Sequence, residues 1–302
     1  MRLPVHCRNL YLLKVIQWVV KNHCVDAGYF QTNEMKKLPF FIILFFQGAS
    51  LLAQNTADSL KKEQPKQNAD DPSQFFTRVE LFNELQRYDK TDIYLNQTIL
   101  RTIVKIGKRF TTRIDVPYVY NSLVTSPKQQ QSGIGDISFR LLGFRFLEGK
   151  KSAFTASLEI SMNTAQSPLL GFGKNLLIPV VSYSTLIPKQ KMLFAILLQQ
   201  TNSVSGDEER KKISFTKLQL ILIKYWSRRT WTVVVPEWFV DYVGGGLSMN
   251  LKTRLTHAPI PRMNIWIAPS AGIFGDFPGR YTWSAEVGSR FFLLRSMNFK
   301  KK

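Results

Sequence analysis

The stretch RFTTRIDVPYVYN, residues 109–121, alternates with a period of two along its whole length. Phe110, Thr112, Ile114, Val116, Tyr118 and Tyr120 fall on one face. Arg109, Thr111, Arg113, Asp115 and Asn121 fall on the other. Such alternation marks an extended strand with one apolar and one polar face. A half-buried strand of a soluble protein has the same pattern, but ordinary strands run to about 5 or 6 residues. This run is long enough to cross a hydrocarbon layer at a tilt.

The pattern recurs downstream. In KSAFTASLEISM, Phe154, Ala156, Leu158, Ile160 and Met162 oppose Thr155, Ser157, Glu159 and Ser161. In GLSMNLKTRLT, Leu247, Met249, Leu251 and Leu255 oppose Ser248, Asn250, Lys252 and Arg254. In RYTWSAEVGSRFF, Tyr281, Trp283, Ala285, Val287 and Phe291 oppose Thr282, Ser284, Glu286 and Arg290. Less regular strands fit 76–88, 92–106, 134–147, 174–187, 192–202, 212–226, 231–243 and 263–274, giving twelve in all.

From the second strand on, every other connection is tight and polar: Gly107-Lys108, residues 148–151, 188–191, 227–230 and then 257–262. The alternate connections include the longer ones, 124–133, 163–173 and 203–211. Short turns at one end, longer loops at the other and an even strand number describe a transmembrane barrel. The expected fold is therefore all-β: an antiparallel up-and-down transmembrane β-barrel of about 12 strands over residues 75–302. Lipid offers no partner to a backbone N–H, so a sheet crosses it only when closed. Tyr118, Tyr120, Tyr225, Trp226, Trp231, Trp238, Tyr242, Tyr281 and Trp283 gather near strand ends, as an interfacial aromatic belt would. Leu141-Leu142 breaks the alternation, which predicts a bulge. Pro117, Pro179, Pro236 and Pro269 stand inside expected strands, where proline cannot donate to a ladder.

The residues ahead of the barrel fit an exported protein. In MKKLPFFIILFFQGASLLAQN, residues 35–55, Lys36 and Lys37 precede the apolar run Leu38–Phe46, and Gly48, Ala49 and Ser50 follow. The order of positive, apolar and small residues is that of a secretory signal peptide ending at Ala53, and the run is too short to span a bilayer. Residues 1–34 then read as an extension ahead of the true start. They hold both cysteines, Cys7 and Cys24, and two of the three histidines, without zinc-ligand spacing. Residues 54–74 carry one leucine and no other large apolar residue, and read as a disordered periplasmic leader.

The chain has 41 basic and 21 acidic residues. Removing the six basic and two acidic residues before Gln54 leaves 35 and 19, a net charge of +16. A surplus of this size raises nucleic acid as a partner. Export and the scatter of the basic residues argue against it. Outer-membrane lipid and lipopolysaccharide are the expected counter-charge, and a small-molecule solute the expected cargo. No cofactor and no metal site is expected.

At GIGDISFRLLGFRF, residues 133–146, Gly133, Gly135 and Asp136 head a strand that follows a long loop. A periplasmic turn, an up strand and the Gly-rich LLGFGK, residues 169–174, come next. This arrangement resembles the family of meta-pathway phenol-degradation proteins. The resemblance implies an outer-membrane barrel transporter. It covers most of the chain after residue 75. Met162-Asn163-Thr164 departs from the Pro-Thr-Gly with which the up strand often ends there, and phenol is not carried over as the substrate. The LLAQ signal is similar to those of Bacteroidota. As a nucleotide motif, Gly133 and Gly135 lack a third glycine and a following helix.

The inward face is expected to carry Arg109, Arg113, Asp115, Asp136, Arg140, Glu159, Lys252, Arg254, Glu286 and Arg290, with Arg101, Lys105, Lys217, Glu237 and Asp241 beside them. Asp136 is expected to pair with an arginine. Such charges either line a water-filled path with a modest anion preference or pair and close the lumen. The expected function is a narrow channel or transporter for small, aromatic or anionic solutes. A structural or adhesin-like barrel is the alternative. Catalysis is not expected: the one histidine after Ala53, His257, falls in an expected periplasmic turn.

Overall fold

The computed structural model describes residues 69–89, 93–123, 130–149, 151–275 and 281–293. The extension and signal peptide expected over 1–53, and the leader up to residue 68, lie outside these residues.

Thirteen strand segments follow one another: β1 (Arg78–Tyr88), β2 (Ile93–Ile106), β3 (Phe110–Leu123), β4 (Gln131–Ile134), β5 (Ser138–Glu148), β6 (Ser152–Ser161), β7 (Lys174–Ile187), β8 (Met192–Gly206), β9 (Ser214–Tyr225), β10 (Thr230–Asp241), β11 (Leu247–Ile260), β12 (Met263–Phe274) and β13 (Trp283–Phe292). Each pairs antiparallel with its neighbours, and β1 pairs with β13, which closes the sheet. Segments β4 and β5 both pair with β3 and form one interrupted wall strand. The barrel therefore has twelve strands. Closure pairs every wall strand on both sides, except that the short β4 ladders to β3 alone; a sheet in lipid requires such closure.

The strands are turned outside-in relative to a soluble sheet. Leu81, Leu100, Leu158, Val181, Leu198, Ile267 and Val287 face outward and are exposed. Glu80, Asp115, Glu159, Asn250, Glu286 and Arg290 face inward and are buried. In β3 the expected alternation holds: Phe110, Tyr118 and Tyr120 are exposed, and Thr111 and Asp115 are buried. Tyr281 departs from its expected face. It precedes β13 and is buried.

The irregularities have physical causes. The register shifts between Arg140 and Leu142, and both Leu141 and Leu142 are exposed. The extra residue of the bulge thus places two leucines in succession on the apolar face. All four strand prolines sit where the ladder to one neighbour is interrupted. Pairing skips Val116-Pro117, Ile178-Pro179, Val235-Pro236 and Ala268-Pro269 on the side facing β4/β5, β8, β9 and β11 respectively. An antiparallel residue directs its N–H and C=O to the same neighbour, so the missing donor falls in the gap. At Pro117 the gap coincides with the break between β4 and β5, and Gly135 N–H donates to the Pro117 carbonyl at 2.9 Å.

Candidate functional site

Two cavities lie inside the barrel wall. The larger, about 460 Å³, is lined by charged side chains of β1, β2, β3, β5, β11 and β13, by Val180, Ile221, Val233 and Val235 of β7, β9 and β10, and by residues of the segment 69–75. The smaller, about 300 Å³, is lined by β2, β3, the start of β5 and the β6–β7 connection. Arg101 and Arg113 line the first and Asp115 the second, so these paired groups stand between the two.

The segment ahead of β1 enters this lumen. Asp71 organises it: its Oδ1 accepts the Ser73 N–H at 2.9 Å and the Ser73 hydroxyl at 2.7 Å, and its Oδ2 accepts from Gln74 at 3.1 Å. This Asx turn presents Asp70 to the wall. Asp70 lies 2.9 Å from Arg254 and 3.2 Å from Arg290. It also accepts from Trp231 Nε1 at 2.7 Å and from the Thr256 hydroxyl at 3.3 Å. Burial alone would raise the Asp70 pKa, but Arg290 and Arg254 outweigh it, and the carboxyl is lowered to about 2. Asp71, buried without a cationic partner of that kind, is pushed up. Trp231 belongs to a buried apolar cluster with Leu193, Ala195, Ile223, Tyr225 and Val233, which fills the short-turn end beside β8–β10. The stretch 69–74, expected as the end of the leader, is thus part of the lumen's packing.

From Asp70 two runs of ion pairs extend. One goes through Arg254 to Glu286 at 2.8 Å, Lys252 at 2.6 Å from Glu286, and Glu84 at 3.2 Å from Lys252. The other goes through Arg290 to Glu80 at 2.9 Å, to Arg101 at 3.8 Å and on to Asp115 at 2.8 Å. It continues through Arg113, 3.2 Å from Asp115, to Glu159 at 2.6 Å and Arg140, also 2.6 Å from Glu159. Arg78 joins at Glu80, 2.6 Å away. Trp266 packs at the junction: its Nε1 donates to Glu286 at 2.6 Å, and the Arg254 and Arg290 guanidinium carbons lie 5.2 and 4.8 Å from its ring. Apart from Asp70, the charges pair along the wall, largely between neighbouring or next-neighbouring strands from β11 round to β6, rather than standing free.

Nine of the expected inward residues, Arg101, Arg113, Asp115, Arg140, Glu159, Lys252, Arg254, Glu286 and Arg290, fall on these runs. Arg109 does not: it lies in the β2–β3 turn and is exposed. Asp136 is buried between β4 and β5, but its partners are backbone N–H groups of the β6–β7 connection. Oδ1 accepts from Thr164 and Ala165 at 3.1 Å each, and Oδ2 from Phe172 at 2.6 Å. The same connection is tied down by Gln166 against Ile134 and by Asn121 against Leu169. Its Leu170 is buried against the smaller cavity. Gly133 is buried opposite Val119. A Cβ on Gly135 would stand 2.8 Å from Val119 Cγ2 and 2.9 Å from the Leu170 carbonyl, and one on Gly171 2.6 Å from both Asp136 oxygens. The GIGD stretch is thus an anchor for a connection folded against the mouth.

Asp70, Arg78, Glu80, Glu84 and Trp266 complete the site and were not singled out from sequence; Trp231, expected in the interfacial aromatic belt, is instead fully buried inside the barrel against Asp70. In RVELFNELQRY the inward Arg78, Glu80 and Glu84 do alternate, but inward Phe82 and outward Asn83 blur the faces. Asp70 sits in polar sequence that carries no periodic signal. His257 lies within β11 rather than in a turn, exposed, with Nδ1 2.9 Å from the Thr230 hydroxyl. Among the described residues no group of three or more His, Cys, Asp or Glu could hold a metal ion.

No family model and no curated protein matches this chain. Among solved structures it is similar to an outer-membrane channel from Pseudomonas putida F1, at 10% identity and a TM-score of 0.63, covering 76% of this chain and 100% of that one. It is also similar to the NanC porin, at 10% identity and a TM-score of 0.51, covering 71% of this chain and 100% of that one. The fold this chain shares with them is the porin-like outer-membrane β-barrel.

Proposed function

We propose that the protein is an outer-membrane channel, exported through a signal peptide, that passes small aromatic or anionic solutes through a narrow lumen. The observation that carries this reading is the pairing of an apolar outer face with a charged interior that holds two cavities along the barrel. A structural barrel would need the first and not the second. The likeness to an outer-membrane channel and a porin supports the fold half of the reading. The resemblance of GIGDISFRLLGFRF to the meta-pathway phenol-degradation family supports the transport half. Outer-membrane lipid and lipopolysaccharide are the expected surroundings of the outer face. On this reading the 69–75 segment, which lines the larger cavity, and the β6–β7 connection, which lines the smaller, regulate passage by moving.

The second reading, a structural or adhesin-like barrel, is favoured by the ion pairing, which ties the inward charges to one another along the wall instead of leaving them free to line a path. Single-channel conductance of the refolded protein in a planar bilayer separates the two. Discrete steps with anion preference support the channel. Silence from a protein that still shows heat-modifiable migration on a gel sinks it and leaves the structural barrel.

A further inference from the structure

We infer that the place occupied by Asp70 is a carboxylate-binding socket, and that a solute carrying a carboxylate on an apolar body competes with Asp70 for it. The inference rests on the channel reading for the solute's route, and on the socket's own geometry for its chemistry.

The donors and the acceptor come from different parts of the molecule. Arg254 Nη1 at 2.9 Å, Arg290 Nη1 and Nη2 at 3.2 Å, Trp231 Nε1 at 2.7 Å and the Thr256 hydroxyl at 3.3 Å all project from wall strands β10, β11 and β13. The one carboxylate they hold is on the segment before β1, outside the ladder. If the segment leaves, the donors stay. They are fixed by partners of their own: Arg254 by Glu286, Arg290 by Glu80, and both guanidinium groups against Trp266. Arg254 Nε is buried and has no hydrogen-bond partner among the described residues, so this guanidinium keeps one donor unused while Asp70 is in place.

Charge points the same way. Without Asp70, the five cations Arg78, Arg101, Lys252, Arg254 and Arg290 face the four carboxylates Glu80, Glu84, Glu237 and Glu286. One positive charge is then left over in a desolvated place, where an unpaired charge is costly. The socket therefore calls for one anion, from the chain or from a solute. Planar guanidinium groups suit a carboxylate. Across the cavity, Val180, Leu197, Ile221, Val233 and Val235 offer an apolar surface, and about 460 Å³ is enough for a ligand the size of a substituted ring. The solute class is an amphipathic monocarboxylate.

The test is calorimetric titration of the purified protein with benzoate, and with benzyl alcohol as the neutral analogue of nearly the same shape. Benzoate should bind and benzyl alcohol should not at the same concentration. Asp70→Asn, which removes the internal competitor's charge, should tighten benzoate binding at least tenfold. Arg290→Gln should weaken it at least tenfold. If Arg290→Gln fails to show heat-modifiable migration, Thr256→Val serves as the milder loss. Equal binding of the two probes, or an Asp70→Asn protein that binds benzoate no more tightly than the parent, overturns the socket. Conductance is read separately. Tightened benzoate binding with no conductance in either protein keeps the socket and removes the channel. Conductance without the tightening does the reverse.

Discussion

Asp136 Oδ2 accepts the backbone N–H of Phe172 at 2.6 Å, while its Oδ1 takes those of Thr164 and Ala165. One carboxylate in the gap of a wall strand thus fixes both ends of the β6–β7 connection. A hydrogen bond to a charged group is worth about 1.5–3 kcal/mol, so three of them hold the connection by several kcal/mol. Asp136→Ala should free it without opening the wall, because Asp136 lies between β4 and β5 and makes no rung of the ladder. The expected result is a severalfold rise in single-channel conductance with unchanged heat-modifiable migration. Asp136→Asn, which keeps one oxygen acceptor, should fall between.

Gly135→Val should reach the same state by sterics. The added Cβ would stand 2.9 Å from the Leu170 carbonyl, a backbone atom that cannot swing aside. Displacing Leu170 displaces the connection that Asp136 holds. Combining Gly135→Val with Asp136→Ala should therefore add little conductance beyond either alone. Full additivity would mean that the two residues act on different elements.

The barrel was readable from sequence because lipid imposes a strict rule. Each wall strand must alternate, and Phe110–Tyr120 against Thr111–Asp115 does so in the structure as in the sequence. The Leu141-Leu142 anomaly was also readable, since two successive apolar residues on one face require an extra residue in the strand. Partners inside the lumen were not readable. Alternation tells which side Glu159 faces, but the register between β3, β5 and β6 decides that it meets both Arg113 and Arg140. Asp136 obeyed no strand rule because it stands in a strand break, and Asp70 had no periodic context. Arg109 was assigned by extending the β3 alternation one residue too far, into the turn.

Acid should release the 69–75 segment. The Asp70 carboxyl is held at about 2 by Arg254 and Arg290, below its ordinary 3.8. A lowered carboxyl contributes stability that is fully present above the ordinary value and is lost as pH falls through the lowered one. The contribution is roughly 2 kcal/mol, lost between about pH 4 and pH 2. The Glu80 charge opposes ionisation of Asp70, Glu286 shares Arg254 with it, and Trp231 and Thr256 complete the surroundings without titrating in this range. Asp71 works the other way, since burial raises it and protonation does not oppose docking. Conductance of the parent should therefore increase from pH 4 to pH 2. Asp70→Asn should conduct at pH 7 and lack that acid-dependent increase.

Arg113→Ala should change selectivity while sparing assembly. Arg113 bridges Glu159 at 2.6 Å and Asp115 at 3.2 Å. Each carboxylate keeps another cation when Arg113 is lost: Glu159 keeps Arg140 at 2.6 Å, and Asp115 keeps the two-pronged contact of Arg101 at 2.8 and 2.9 Å. No carboxylate is left buried and unpaired, so the wall should fold as before. The lumen loses one positive charge between the two cavities, and the anion-to-cation permeability ratio should fall. Glu159→Ala is the contrasting change. It strips Arg113 and Arg140 of a shared partner, and breaking a buried pair in this way costs about 3–5 kcal/mol. It should lower the temperature at which the folded band disappears on a gel, whereas Arg113→Ala should leave that temperature within a few degrees of the parent. If both variants lowered it equally, the ion pairs would act as one indivisible brace rather than as a chain with a dispensable link.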